Sequence, residues 1–140
     1  MAIALPAFGM VRTELGAYAS HSWSAPALQA GAQITPLVAW VGRNTRPDDI
    51  VLAEGEQVIS LFTGRRAAPT APFSAREYVS PRTLQESTNE LRDMLRAVPA
   101  RYVLPLAPVQ IEAARAMSTG RPTLRVVAPL PHSLVFEVHP

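Results

Sequence analysis

A chain of 140 residues, 48% of them hydrophobic, fits one domain and can bury a core without staples. It has no cysteine, which excludes disulfides, thiol nucleophiles and thiolate metal sites. All 13 basic residues are arginine, scattered and interleaved with acids for a net charge of +2, and aromatics make up 6%, so the basic stripe and stacking platform of a nucleic-acid binder are missing.

Met1–Val11 (MAIALPAFGMV) is uncharged and largely apolar. It is too short to span a bilayer, which takes about 20 apolar residues, and it lacks the basic start of a signal peptide. It reads as an ordinary buried segment or as the stub of a membrane helix. Residues 1–33 are then a lead-in segment and 34–140 an α/β domain. Within the lead-in a loose helix is predicted over Ala25–Ala30, with Gly31 as a break. Thr35-Pro36 reads as an N-cap and first helical residue, opening an amphipathic helix through Leu37, Val38, Trp40 and Val41 to about Asn44. Trp23 and Trp40 read as packing residues, in the core or beside a membrane.

Arg46-Pro47-Asp48-Asp49 is a turn, because proline fixes φ and the acids cap locally. Ile50–Ala53 is a short apolar run and reads as a buried strand. Glu56–Phe62 reads as a helix with Val58, Ile59 and Phe62 on one face, ended by Gly64 as a left-handed cap. Arg65–Pro72 holds at most a brief edge strand, since Pro69 and Pro72 cannot sit mid-sheet, and residues 73–79 are an irregular connection. Ser80-Pro81 is predicted to open the clearest helix, with Leu84, Leu91, Leu95 and Val98 inward and Pro99 as the stop. Tyr102–Leu104 reads as a second buried strand. Pro108 starts another helix with Ile111, Ala114 and Met117 inward and Gly120 as its end. Leu124–Ala128 and Leu134–Val138 are the last strands, joined by a turn that makes the final one antiparallel. This alternation predicts a layered, Rossmann-like α/β domain with a partly parallel, mixed sheet and right-handed crossovers.

Chemistry is sparse. The sequence lacks a phosphate-binding loop, a dinucleotide glycine fingerprint and a nucleophile elbow, so no cofactor is implied. The histidines, His21, His132 and His139, have no metal-ligand spacing; Glu137 and His139 share a strand face but supply two ligands where three or four are needed. Glu54 and Glu56 follow the first strand, where acid–base groups of α/β enzymes sit, and His132 could assist them. The same two carboxylates also suit the positive end of a helix dipole. Arg65-Arg66 offers paired guanidiniums for a small anion, again with His132 as a possible helper, or else two solvated side chains beside an edge strand.

Four stretches carry a resemblance: Trp40–Ala53 (WVGRNTRPDDIVLA), Leu61–Pro69 (LFTGRRAAP), Arg101–Leu104 (RYVL) and Val135–Val138 (VFEV). In order and spacing they resemble the extracytoplasmic C-terminal region of polytopic GT-C-type glycosyltransferases, over about residues 34–138. That region often carries W-[LIV]-x-x-N-T-P-x-D-A-x-[IV] followed by [LY]-x-T-G-R-x-x-[VA]-P. Here Arg46 precedes Pro47, and Asp49 stands where a small residue is usual. The resemblance implies a non-catalytic domain at the extracytoplasmic face of the cell membrane. Its partners would be the membrane-embedded part of the same polypeptide and a polyprenyl-phosphate sugar or its acceptor. The family's catalytic acid lies in an early loop outside this region, so no catalytic residue carries over, and Asp48-Asp49 is not that acid. Met1–Val11 would then be the end of a last membrane helix. The reading left beside it is a freestanding module that binds a small anionic ligand.

Overall fold

A computed structural model of the chain describes residues 25–75, 80–119 and 121–139. Met1–Val11, His21, Trp23 and Gly120 lie outside them. The elements run α1 (Ala25–Asn44), β1 (Ile50–Ala53), α2 (Glu56–Thr63), β2 (Arg66–Ala68), α3 (Leu84–Ala97), β3 (Tyr102–Leu104), α4 (Pro108–Ala116), β4 (Thr123–Leu130) and β5 (Ser133–His139). Residues 33–140 form a compact unit. No helix among the described residues is long and apolar enough to cross a membrane.

The five strands make one mixed sheet in the order β2-β1-β3-β5-β4. β1 pairs with β2 and β3 in parallel, while β5 runs antiparallel to both β3 and β4. Side chains alternate across it. Val51 and Ala53 join Tyr102, Leu104 and Val135 under Leu37 and Val41 of α1 and Ile59 of α2. Leu52, Val103, Leu124 and Phe136 face Leu91 of α3 and Ala114 of α4. Helices therefore cover both faces, as right-handed crossovers in opposite directions from β1 require. Burying each of the Val, Leu, Ile and Phe side chains among them contributes about 1.5–3 kcal/mol. In β4 the register against β5 jumps between Val126 and Ala128. The extra residue, Val127, turns Ala128 and Leu130 toward the first cluster although Leu124 belongs to the second.

Two predicted boundaries and one predicted burial are corrected. Pro36 does not start a helix but lies inside α1. Ile34, Leu37, Val38 and Val41 keep one stripe through it, and packing of that stripe outweighs one missing backbone bond. α3 begins not at Ser80-Pro81 but after Thr83. The Thr83 hydroxyl accepts the N–H of Glu86 at 3.2 Å, and the Glu86 carboxylate accepts the N–H of Thr83 at 2.9 Å. Ser80 has Thr83 three residues on and cannot form that reciprocal box. Phe62, expected inward, is 71% exposed; the last turn of α2 overhangs a three-residue edge strand whose alanines cover little.

Candidate functional site

From β1 the chain passes to β2 on one side and then to β3 on the other, so the sheet's topological switch point lies between β1 and β3. The crevice outside the carboxyl ends of those strands is where open α/β sheets bind ligands. Glu54 sits there, directly after β1. Its Oε2 accepts the backbone N–H groups of Leu106 and of Ala107, the latter at 2.5 Å. Helix α4 begins at Pro108, and its N-cap Ala107 has no side-chain oxygen to offer. Glu54 replaces the missing cap from a different strand, placing its negative charge at the positive end of the helix. On the other side of the loop, the Ser133 hydroxyl donates to the Pro105 carbonyl at 2.5 Å. Gly55, at φ 77°, makes the turn into α2 in a conformation that side chains disfavour, and a Cβ there would lie 2.5 Å from Ile34 Cδ1, so the isoleucine would have to move. The carboxylate at the switch point is thus engaged by this chain's own amides.

Glu56 does not join Glu54. It stands in the first turn of α2 and accepts from the Gln57 side chain at 2.6 Å, so the two carboxylates serve two different helices. His132 occupies the β4–β5 turn at φ 65°, exposed. It borders an open hollow of about 470 Å³ with Leu106, Glu112 and Arg115. Arg115 is held by Glu112 at 2.6 Å. His132 follows the end of β4, whereas Arg65 and Arg66 lie at the start of β2. Because β4 and β2 run the same way, the histidine and the arginines are at opposite ends of the sheet.

Arg65 and Arg66 also take separate partners. Arg65 donates to the Thr45 hydroxyl (3.2 Å), the Thr45 carbonyl (3.1 Å) and the Thr63 carbonyl (3.3 Å), binding the end of α1 to the end of α2. Arg66 donates to the Asp48 carbonyl at 3.0 Å. Their forks are not aimed at one anion.

A second cluster, with no local signature in the sequence, lies at the start of β1 and β3. Arg101 contacts Asp49 at 3.4 Å and Glu137 at 3.6 Å, and its guanidinium stacks 5.3 Å from the Tyr102 ring centre. Asp49 also accepts the Arg46 N–H at 2.8 Å, closing the Pro47 turn. His139 stands 3.7 Å from Glu137. The charge of Tyr102, followed by Asp49, holds the Arg101 guanidinium more firmly protonated than usual. Burial pushes the Tyr102 phenol up, against the pull of Arg101. The group latches β1, β3 and β5 together. Another open hollow, about 730 Å³, lies by the end of α4 and the start of β4, with Leu124, Val126 and Phe136 as floor and Arg125 and His139 on the rim. Alternation puts Arg125, which pairs with Glu137, on the sheet face opposite Leu124 and Phe136. The rim therefore does not converge over the floor. Among the described residues no three His, Asp or Glu side chains come together as a metal site.

The fold defines a doubly wound mixed α/β domain in which the carboxylate at the switch point caps α4. No family model matches the chain, and no curated protein is significantly similar to it.

Proposed function

We propose that this chain is a non-catalytic, extracytoplasmic accessory domain of a membrane glycosyltransferase that transfers sugar from a lipid-phosphate donor. The observation that carries the non-catalytic part is the engagement of Glu54 with the Leu106 and Ala107 amides. The position from which α/β enzymes act on a ligand serves here as a helix cap. The membrane-enzyme part is supported by the four stretches that carry the resemblance. They contain β1, β2, β3 and part of β5, four adjacent strands of one sheet, so together they describe a framework and not scattered similarity. Such a domain would shape acceptor access or hold a partner beside the enzyme's active-site mouth.

The test is the genomic reading frame upstream of Met1, followed by expression of the complete protein in membranes. The expected frame continues into many apolar spans. Deleting residues 34–140 should lower sugar transfer, and the isolated domain should show no turnover. A frame without spans, or turnover by the domain alone, overturns the reading.

A further inference from the structure

The arginines that look scattered along the chain are gathered by the fold. β1, β2, β3 and β4 all point the same way, so the four helix-to-strand junctions lie at one end of the sheet. Each junction brings arginine: Arg43 and Arg46 before β1, Arg65 and Arg66 before β2, Arg96 and Arg101 before β3. Arg121 and Arg125 add to the fourth. Acids Glu54, Glu56 and Glu86 stand at the opposite, strand-to-helix end. Helix dipoles favour this polarity, but Arg46, Arg66 and Arg101 lie beyond the helices and strengthen it.

Carboxylates at the basic end only partly offset it. Asp49 and Glu137 are engaged by Arg101, Asp93 lies 3.4 Å from Arg96, and the exposed Asp48 adds a negative charge beside Arg46 and Arg66. Arg43 donates to the Ala39 carbonyl, and Arg65 and Arg66 to carbonyls and a hydroxyl. Among the described residues, neither these three nor Arg46 has an ion pair with a carboxylate. At the same end, in the last turn of α2 and just before Arg65, Leu61 and Phe62 are 78% and 71% exposed. Arg65 and Arg66 follow this apolar pair in sequence, and the bonds from Arg65 to Thr45 bring Arg46 to the same corner, which matches the two-part chemistry of a bilayer surface. The apolar pair enters the headgroup boundary while the cations meet anionic lipid. A nucleic-acid surface would have no use for the leucine.

From this juxtaposition we infer that the helix-to-strand end of the domain docks on an anionic lipid surface through Leu61 and Phe62, with Arg46 and Arg66 beside them. The inference does not rest on the glycosyltransferase reading; a peripheral protein with no enzyme attached would bind in the same way.

The test is co-sedimentation of the full 140-residue chain with vesicles of phosphatidylcholine alone or mixed with phosphatidylglycerol. Binding is expected to the mixed vesicles and to weaken with salt. Leu61→Ser with Phe62→Ser should weaken it by at least about tenfold. Each of Arg46→Gln and Arg66→Gln should cost about fivefold. Val127→Ser, an exposed apolar change in β4, should leave it intact. These are surface positions, and each variant is first matched to the parent by thermal melting. Absence of binding to mixed vesicles overturns the inference, as does binding that the Leu61/Phe62 variant retains. Duplex DNA bound as tightly as the vesicles, with no loss in that variant, reassigns the basic end to nucleic acid.

Discussion

The carboxylate of Glu54 accepts the backbone N–H of Ala107 at 2.5 Å across 53 residues of sequence. This bond and its twin from Leu106 cap α4 from another strand. Glu54→Ala leaves both donors without their partner and should lower stability by about 2–3 kcal/mol. Glu54→Gln keeps an acceptor and should cost roughly half as much. Urea denaturation at neutral pH measures both. An unchanged midpoint for the alanine variant would show that the cap contributes nothing.

Gly55→Ala combines a left-handed backbone with a collision. The φ of 77° costs a residue with a side chain about 1–2 kcal/mol, and the new Cβ meets Ile34 Cδ1. Ile34→Val removes that atom. The double variant should therefore be less destabilised than the two single variants together, in a denaturation-based mutant cycle. Strict additivity would remove Ile34 from the account.

Arg65 joins the ends of two helices through Thr45 and Thr63. Arg65→Ala should cost about 1–2 kcal/mol. Arg65→Lys should recover little of that, because an ammonium cannot reproduce a planar fork with several fixed donors. Lysine restoring full stability would show that charge alone was needed.

Tyr102 carries a pH signature. Its ring is edge-on to Trp40 at 5.2 Å, and burial raises its pKa above the ordinary tyrosine value of about 10. The folded chain keeps the phenolic proton at a pH where the unfolded chain has lost it. Its contribution is thus intact below about pH 10 and is lost as pH rises through the higher folded value. Tyr102→Phe should flatten the alkaline decline in denaturation midpoint and remove one tyrosine that titrates above the ordinary value from the ultraviolet titration. An identical decline in both proteins would contradict the assignment.

Much of the scaffold is legible in local patterns. Ile50–Ala53 and Tyr102–Leu104 are apolar runs bounded by turns, and both are buried strands. Pro108 opens a helix where expected. Thr83 carries its own local signal in the Glu three residues on, which the nearby Ser-Pro pair masks. The site was not. Glu54 can be seen to end a strand, but its partners lie on a loop after β3 and become neighbours only through the sheet order. Arg101, Asp49 and Glu137 likewise meet across β1, β3 and β5. The basic end is the same lesson on a larger scale, since interleaved charges separate only when parallel strands bring like junctions together.

β5 pairs with β3 on one side and β4 on the other, although β4 precedes it in the chain. During synthesis the sheet therefore cannot close strand by strand from the ribosome outward. Until Ser133–His139 has emerged, β3 has an open flank made of side chains that end fully buried, and β4 has no neighbour to pair with. A nascent chain halted before that point would expose a sticky ladder, so the domain should depend on chaperone protection late in translation and acquire protease resistance in one step.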